Sequence, residues 1–402
     1  MLSLRRLFAD ADGARQSLVA LALNSTTSFV AGALLGVIAA TFEEHPGLLV
    51  LVPAAIGLRG NIFSALGTRL STSIHTGQFT LTARRDNVLG QNVSASIVLT
   101  LAISLALAFI AKGVAVALGV ENTIPVYDLI VVSVLGGLLA SAVVLVATVG
   151  MAAGAVRYDW DLDNVGAPIV STLGDVLTIP ALWLCTALIG VSVVSPALAL
   201  VAAAAGIVAL AVGWRSDLVD LRRIVRESVP ILLVACAISA MAGITVERRI
   251  DSFVANPALL VLLPAFLSSS GALGGILSSR LGSKVHLGLV APAALPGREA
   301  RRDIRLVALL ALPVFVFNGA GAHLVARLLR EESPGLLSML QVSLLGGVLA
   351  VLFVLAVGYY GTIAAVRFGV DPDTYGIPLV TSSVDFAGAF CLVLAIVAVG
   401  IA

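Results

Sequence analysis

Two aspartates, Asp175 and Asp385, lie inside long apolar segments and are separated by 210 positions. Each follows a pair of hydroxyl residues by three to four positions; these are Ser171, Thr172, Thr381 and Ser382. A carboxylate near the middle of a bilayer costs about 2.5–3.5 kcal/mol even on lenient insertion scales. The same residue at the same place in both halves predicts one shared site. The natural occupant of a paired-carboxylate site is a cation.

These side chains suit a hard divalent cation. Mg2+ takes oxygen ligands, releases its water reluctantly, and is typically held by one or two carboxylates through its remaining waters. Asp161 and Asp371 begin the same two segments, so they are candidates for an acidic mouth that concentrates cations. Two other interpretations stay open at this point. The inner aspartates could pair with arginine or cap a broken helix, and the outer ones could be solvated loop charges.

The elements that must position these residues are membrane helices. The chain of 402 residues is 59% hydrophobic and 12% charged, whereas soluble domains are about 25% charged. Its mean hydropathy is +1.08. Apolar runs of about 20 residues, long enough to cross a bilayer, recur from end to end. We therefore predict an all-α polytopic membrane protein with eleven transmembrane helices, over residues 17–41, 48–73, 89–118, 126–154, 166–192, 195–214, 228–247, 256–281, 304–329, 337–366 and 376–402.

The loop charges predict the orientation of these helices. Fifteen lysine and arginine residues fall in the loops on one side and five on the other. Cytoplasmic loops carry the excess of Lys and Arg, so the N-terminus is predicted inside and the C-terminus outside. The first sixteen residues are charged and lack a signal-peptide cleavage pattern, so the first helix is expected to be retained.

The chain contains an internal repeat. Residues 46–77 match residues 257–288 at an offset of 211, and Arg84-Arg85-Asp86 resembles Arg301-Arg302-Asp303 after a short insertion. We predict a first five-helix unit over residues 1–193, a linking helix and loop over 194–225, and a second unit over 226–402. Units of five helices joined by one extra helix are parallel, related by a pseudo-two-fold axis along the membrane normal.

Depth estimates place the second and fifth helices of a repeat at one level. At about 1.5 Å per residue, Asp175 lies about 10 Å outward of Pro168. Asn61 lies about 22 Å inward of Pro46, and the two estimates converge. Pro53 and its repeat Pro264 indicate either interrupted helices with free carbonyls or close packing by small residues.

Two motifs carry a family resemblance. The pattern P-x6-G-N at Pro53–Asn61 and the pattern D-x13-D at Asp161–Asp175 resemble the membrane domain of the MgtE-type divalent cation channels. The arrangement of two units in one chain is closer to the solute carrier 41 group. The resemblance implies a pore on the two-fold axis, with Asp175 and Asp385 holding a hydrated Mg2+. It places Asp161 and Asp371 at the cytoplasmic start of the fifth helix. In that family the membrane domain works as a dimer of five-helix units. Because the internal duplication here supplies both halves, we expect a functional monomer, with divalent cations and the lipid bilayer as partners and no organic cofactor.

The repeat departs from that pattern at two positions. Asn61 is matched by Ala272, so an amide ligand is available in one half only. Arg59 is matched by Ser270, which leaves a fixed positive charge in one half. Its candidate partners are Asp161, Asp163 and Asp175.

Enzyme activity is not expected. The chain has no GxxxxGK[ST] loop and no HExxH motif, so neither an ATP-driven motor nor that zinc protease is indicated. We assign no catalytic residue and expect no nucleic-acid partner. An intramembrane aspartyl protease is a remote alternative. Sequence leaves open Mn2+, Co2+ or Zn2+ in place of Mg2+, an Na+- or H+-coupled exchanger or exporter in place of a channel, and the direction of transport.

Overall fold

The computed structural model describes residues 2–82, 84–158, 162–286, 289–291, 293–368 and 377–401. This part of the chain forms helices and loops without strands, which confirms the predicted all-α class. The thirteen helices are α1 Leu2–Val37, α2 Ala39–Glu44, α3 Leu48–His75, α4 Val88–Ala117, α5 Val126–Tyr158, α6 Leu162–Thr186, α7 Val194–Trp214, α8 Val219–Glu247, α9 Ile250–Ala255, α10 Ala258–His286, α11 Arg298–Leu329, α12 Leu336–Phe368 and α13 Ile377–Val399.

Most of these helices are long and apolar enough to cross a membrane. Within the described residues ten helices meet that condition, and α6 adds a shorter apolar stretch, Thr172–Thr186. Together they correspond to the eleven predicted spans. Some helices extend beyond the apolar run: α8 begins at Val219 instead of near residue 228, with Asp220 in its first turn. A carboxylate is favourable at a helix N-terminus. The helix therefore begins with a charged turn, which a search for apolar segments leaves out.

The helices form two compact units, and neither follows the sequence repeat. One consists of Met1–Ala39 and Arg249–Ala402; we call it the α10 unit. The other consists of Ala40–Arg248; we call it the α3 unit. The first helix of each repeat packs with the later helices of the other repeat: α1 packs on α10 and α11, and α8 packs on α3 and α4. The predicted five-helix units therefore describe the repeat in the sequence, and the compact units of the structure have different boundaries.

A glycine makes each of these exchanged contacts possible. In the α10 unit, a Cβ on Gly32 of α1 would lie 2.7 Å from Val261 Cα of α10. In the α3 unit, a Cβ on Gly243 of α8 would lie 2.7 Å from Val50 Cα of α3. The two pairs are related by the repeat offset of 211. Backbones approach this closely only where the side chain is absent.

The end of α8 is also tied to the beginning of α3. The backbone N–H of Gly47, the residue before α3, donates to Glu247 Oε1 at 2.6 Å. Gly47 has a φ of 89°, which glycine adopts readily. A carboxylate at the N-terminus of α3 also complements the helix dipole. The contact therefore stabilises the docking of α8 in the α3 unit.

Two equivalent hydrogen bonds show how the third helix of the first repeat, α4, aligns in sequence with the third helix of the second repeat, α11. Ser133 Oγ donates to the Ser104 carbonyl at 2.7 Å, and Ser343 Oγ donates to the Phe315 carbonyl at 2.6 Å. These bonds are equivalent when α4 and α11 are aligned at an offset of 211, without an insertion.

The predicted match of residues 84–86 with residues 301–303 is therefore wrong. Residues 84–86 precede α4, whereas residues 301–303 lie inside α11. The true equivalent of Asp303 is Asn92, and both bind the arginine 23 positions earlier. Arg280 Nε contacts Asp303 Oδ1 at 3.0 Å, and Arg69 Nε donates to Asn92 Oδ1 at 2.8 Å. The two Arg-Arg-Asp motifs are similar by chance, since short charged motifs recur in unrelated positions.

Pro53 and Pro264 do not interrupt their helices. α3 continues through Pro53 and α10 continues through Pro264. The interpretation as broken helices is therefore not supported. A Cβ on Gly57 would lie 3.7 Å from Ser239 Oγ, whereas a Cβ on Gly60 or Gly271 would meet nothing within 4 Å.

Candidate functional site

In the α3 unit a glycine brings the fifth helix of the repeat against the second. A Cβ on Gly174 of α6 would lie 3.6 Å from Arg59 Cβ and 3.8 Å from the backbone nitrogen of Gly60. Gly174 precedes Asp175, and Gly60 precedes Asn61. The two candidate residues thus lie at one level of the unit, as the depth estimates predicted.

Asp175 itself is half-buried, and so is Asn61. Within the described residues Asp175 makes no hydrogen bond and no ion pair. Thr172 lies one turn before Asp175 on the same face of α6, because residues three apart are neighbours on a helix surface. This carboxylate is therefore not committed to a protein partner in the part of the chain that the structure describes.

Arg59 is buried in the same unit, with 1% of its surface exposed. Its Nη1 donates to the carbonyl of Ala55 on its own helix. Its guanidinium points between α4 and α5: a Cβ on Gly137 would lie 2.5 Å from Arg59 Nη2 and 2.7 Å from Ser104 Oγ. The predicted pairing with Asp175 is not formed among the described residues.

The Arg59 guanidinium is only partly satisfied. Within the described part of the chain, Arg59 Nε, Arg59 Nη2 and Ser104 Oγ are buried and have no hydrogen-bond partner. A buried charge without a partner is strongly unfavourable. The α3 unit thus holds a buried positive charge on the residue that faces Gly174, the neighbour of Asp175 in sequence.

In the α10 unit the fifth helix of the repeat is α13, which carries Asp385. A Cβ on Gly274 of α10 would lie 3.7 Å from Val384 Cγ2, and a Cβ on Gly388 would lie 3.9 Å from Ser270 Oγ. Asp385 therefore lies on a turn of α13 that packs against α10. Thr381 Oγ1 donates to the Pro378 carbonyl at 3.2 Å.

The hydroxyl residues of the predicted site differ in exposure, and part of that site lies outside the described residues. Ser382 is buried, whereas Thr172, Thr381 and Asp385 are half-buried. Asp161 and Asp371 lie outside the described residues, as do Asp373 and the side chains of Asp163 and Ser171. The acidic mouth therefore remains a prediction.

No cluster of protein ligands accompanies the aspartates in the described ranges. Groups of three or more His, Cys, Asp or Glu side chains able to hold a metal are absent there. A fully dehydrated ion would need such a group, but a hydrated Mg2+ is held through its waters by one or two carboxylates. The donor set of each unit fits a hydrated ion.

Sequence reasoning missed the surroundings of these residues. A Cβ on Gly137 would meet both Arg59 Nη2 and Ser104 Oγ. Nothing in the pattern of α4 or α5 distinguishes Ser104 and Gly137 from other small residues in apolar helices. Gly174 carried a usable signal, since a glycine directly before a membrane carboxylate indicates a close helix contact.

The fold and its paired aspartates define a multi-pass membrane protein whose five-helix sequence is duplicated. The MgtE family profile, described as divalent cation transporter, matches residues 52–185 and 263–395. The two matched regions follow the repeat offset. The chain belongs to this family.

Curated relatives carry a second family name. Solute carrier family 41 member 2 of Homo sapiens is 24% identical over 384 residues, which cover 88% of this chain and 64% of the relative. Member 3 of Mus musculus is also 24% identical over 384 residues, covering 88% of this chain and 75% of the relative. The chain thus spans less than two thirds of the human protein. No solved structure matches the chain.

Proposed function

We propose that this chain transports divalent cations, with Mg2+ as the principal ion, along a pathway lined by Asp175 and Asp385 on the pseudo-two-fold axis of the repeats. One observation carries the proposal: a divalent cation transporter profile matches both halves, and each half has one carboxylate at the same position of its fifth helix. Asp175 has no partner among the described residues, which supports the proposal, since a carboxylate committed to arginine would not be free to bind an ion.

Mg2+ is favoured by the donor set. Oxygen ligands from aspartate, threonine, serine and Asn61 suit a hard ion. A dedicated site for a softer metal would be expected to include imidazole or thiolate ligands. The three cysteines, Cys185, Cys236 and Cys391, are buried and free.

The proposal includes a topology and an assembly state. The N-terminus lies in the cytoplasm and the C-terminus outside, and one chain supplies both halves of the pathway, so it functions as a monomer without catalytic activity. Cysteines introduced at exposed positions test the topology. Asp217→Cys is expected to react with an impermeant reagent only from the cytoplasmic side, and Glu121→Cys only from outside. The reverse pattern would contradict the topology.

Flux into proteoliposomes tests the function. Purified chain is reconstituted and uptake is measured for Mg2+, Mn2+, Co2+ and Zn2+, with and without Na+ and pH gradients. We expect uptake that is highest for Mg2+ and is abolished by Asp175→Ala combined with Asp385→Ala. Asp251→Ala, which removes an exposed carboxylate, serves as the matched control.

Two results would count against the proposal. Divalent uptake that survives the double substitution would place the pathway elsewhere. Uptake of a softer metal in preference to Mg2+ would overturn the ion assignment but leave the pathway intact. Dependence on an Na+ or pH gradient would identify a coupled carrier instead of a channel.

A further inference from the structure

One face of α11 in the α10 unit is exposed over several turns. Leu309, Leu312 and Val316 lie on this face, with 73%, 61% and 39% of their surfaces exposed. Arg298 and Arg305 continue the same face towards the start of the helix, and both are exposed. Residues three, four and seven apart lie on one side of a helix, so these five side chains form a single row. We call this row the α11 stripe.

The equivalent face of the third helix is covered in the other repeat. α4 aligns with α11 at the offset of 211, so Val98, Leu101 and Leu105 correspond to the three apolar residues of the stripe. A Cβ on Gly213 of α7 would lie 2.8 Å from Val98 Cγ1, and a Cβ on Gly206 of α7 would lie 2.9 Å from Leu105 Cδ2. The linking helix α7 therefore packs on this face in the α3 unit.

The cover on α4 extends past the end of α7 to the beginning of α8. Gln91 lies two turns before Val98 on the same face of α4. Its Oε1 accepts hydrogen bonds from the backbone N–H groups of Asp220 at 3.0 Å and Leu221 at 3.2 Å. The amide oxygen of Gln91 is thus an acceptor for the N–H groups that the first turn of α8 presents.

The polar end of this face has the opposite chemistry in the α10 unit. Gln91 and Ser94 of α4 are replaced there by Arg302 and Arg305. Arginine has five N–H donors and no acceptor. The linking helix occurs once in the sequence and lies in the α3 unit. A molecule that covers the α11 stripe must therefore present negatively charged acceptors beside an apolar surface.

The acidic residues of α11 do not neutralise the arginines of the stripe. Asp303 is turned towards α10, where its carboxylate lies 3.0 Å from Arg280 and 2.6 Å from Lys284. The carboxylate of Glu299 lies 3.7 Å from Lys284 Nζ. The two arginines of the stripe make no ion pair within the described residues. The two signs of charge are therefore separated around α11, with the carboxylates towards α10 and the arginines outward.

The positive-inside rule does not account for this separation. It concerns the number of Lys and Arg residues beside a membrane helix and not the face of the helix on which they lie. The helix dipole also disfavours a cation in the first turn of a helix, where Arg298 lies. An anion beside the stripe offsets that cost and gives both arginines a partner.

We propose that the α11 stripe binds an anionic phospholipid of the surrounding bilayer. The phosphate accepts hydrogen bonds from Arg298 and Arg305, and an acyl chain lies along the three apolar residues. Basic residues beside a membrane helix are typical of acidic lipid recognition. From Arg305 to Val316 the stripe extends about 16 Å, which is about half of the ~30 Å hydrocarbon core and thus the depth of one leaflet. The lipid takes the place that α7 occupies in the α3 unit.

A second copy of the chain fits this surface less well than a lipid does. α7 covers the equivalent face, but its residues Val194–Trp214 include no acidic residue. α7 of another copy would therefore leave the arginines of the stripe without an anion. A symmetric contact between two stripes would place like charges side by side.

Native mass spectrometry and thermal unfolding of the purified full chain in detergent test the proposal. Phosphatidylglycerol and phosphatidylcholine with identical acyl chains are titrated separately, so these probes differ in the charge of the headgroup. Glycerol 3-phosphate supplies the anion without acyl chains. A ligand that binds the folded state raises the unfolding temperature with its concentration. We expect bound lipid and such a rise with phosphatidylglycerol, and neither with the other two probes at matched concentration.

Arg298→Asn combined with Arg305→Ser copies the α4 sequence onto α11. Each basic residue beside an anionic surface contributes about fivefold to binding. The double variant should therefore need about thirtyfold more phosphatidylglycerol for half of the response, and Arg305→Ser alone about fivefold more. Both positions are exposed, so the unfolding temperature without lipid is expected to equal that of the wild type.

Two further variants serve as controls. Arg85→Asn combined with Arg215→Ser removes two exposed arginines from the α3 unit and should keep the wild-type response. Arg298→Lys combined with Arg305→Lys keeps the charge of the stripe and should restore most of the response that the neutral double variant loses.

Three results would overturn the proposal. An unchanged phosphatidylglycerol response after Arg298→Asn with Arg305→Ser would place the lipid elsewhere. An equal response to glycerol 3-phosphate would identify an anion site that needs no lipid. A dimer that the two substitutions abolish, without bound lipid, would assign the surface to a second copy. None of these results bears on the aspartate pathway, which is measured by divalent flux.

Discussion

Gly32 of α1 and Val261 of α10 lie backbone to backbone in the α10 unit. A Cβ on Gly32 would meet the Val261 carbonyl oxygen and lie 2.7 Å from its Cα. The contact joins the first helix of one repeat to the second helix of the other. It leaves no room for even the smallest side chain.

Gly32→Ala is therefore expected to destabilise the chain. The added methyl group forces α1 away from α10, and overpacking of this kind costs about 1–3 kcal/mol. A lower unfolding temperature in detergent measures the effect. Gly275→Ala is the matched control on α10, because a Cβ there meets nothing within 4 Å and alanine favours the helix. Equal unfolding temperatures for the two variants would show that the contact is not needed.

Arg59→Met is expected to leave stability unchanged or to raise it. Methionine fills much of the same volume without the unpaired guanidinium nitrogens, and replacing buried charges by apolar groups is often neutral or stabilising. Thermal unfolding checks the prediction. A loss of about 3 kcal/mol or more would instead show that Arg59 has a partner that stabilises its charge.

Arg59→Ser copies the second half and is expected to alter flux more than folding. Arg59 faces Gly174, the residue before Asp175, and removing its buried charge changes the electrostatic potential that a cation meets near Asp175. The rate of Mg2+ uptake and its dependence on Mg2+ concentration are the measurements. Identical uptake curves for Arg59→Ser and the wild type would mean that Arg59 only packs.

Asn61→Ala is expected to weaken transport, whereas Ala272→Asn is expected to be tolerated. The first change removes an amide oxygen near the level of Asp175, and the second adds one where the chain has none. Losing one hydrogen bond to a hydrated ion costs about 1.5–3 kcal/mol, or roughly tenfold or more in apparent affinity. Mg2+ titration of uptake in proteoliposomes measures both variants. If both retain wild-type affinity, the second helices contribute packing alone.

Asp303→Asn is expected to destabilise the α10 unit. Asp303 is buried and accepts from Arg280 at 3.0 Å and from Lys284 at 2.6 Å. Asparagine removes the carboxylate that both cations share and leaves Lys284 with only the longer contact to Glu299 at 3.7 Å. We expect a cost of about 1–3 kcal/mol, because Arg280 and Lys284 are partly exposed. Thermal unfolding at low and high salt measures it. The equivalent change Asn92→Asp places a carboxylate beside Arg69 and should be neutral or stabilising; a large loss there would contradict the proposed equivalence of the two positions.

Sequence reasoning predicted the helices and the common level of Asp175 and Asn61 in the α3 unit. Apolar length is enough to find a membrane helix, and the constant offset is enough to pair Asp175 with Asp385. The contact between Gly174 and Gly60 agrees with depths counted along the helices.

It could not predict which unit each first helix joins. Gly32 indicates that α1 packs closely on another helix. The sequence does not show which helix, because α3 and α10 have similar sequences. The direction of the Arg59 side chain was equally inaccessible. The Arg59 side chain points between α4 and α5 and not towards α6. The space there is next to Gly137 and Ser104, which are distant in sequence and become neighbours only in the folded chain.

The exchange of first helices imposes an order on biosynthesis. All helices of the α3 unit lie in one continuous stretch, Ala40–Arg248, so this unit can close before the rest of the chain is made. α1 ends at Val37, and α10 begins only at Ala258. At about 5–20 residues per second, the ribosome needs roughly 10–45 s to bridge that distance. Throughout this interval α1 is in the membrane without its partners, with Ser25 and Ser28 uncovered. α1 is therefore made before the whole α3 unit but can pack in the α10 unit only after α10 and α11 have been made.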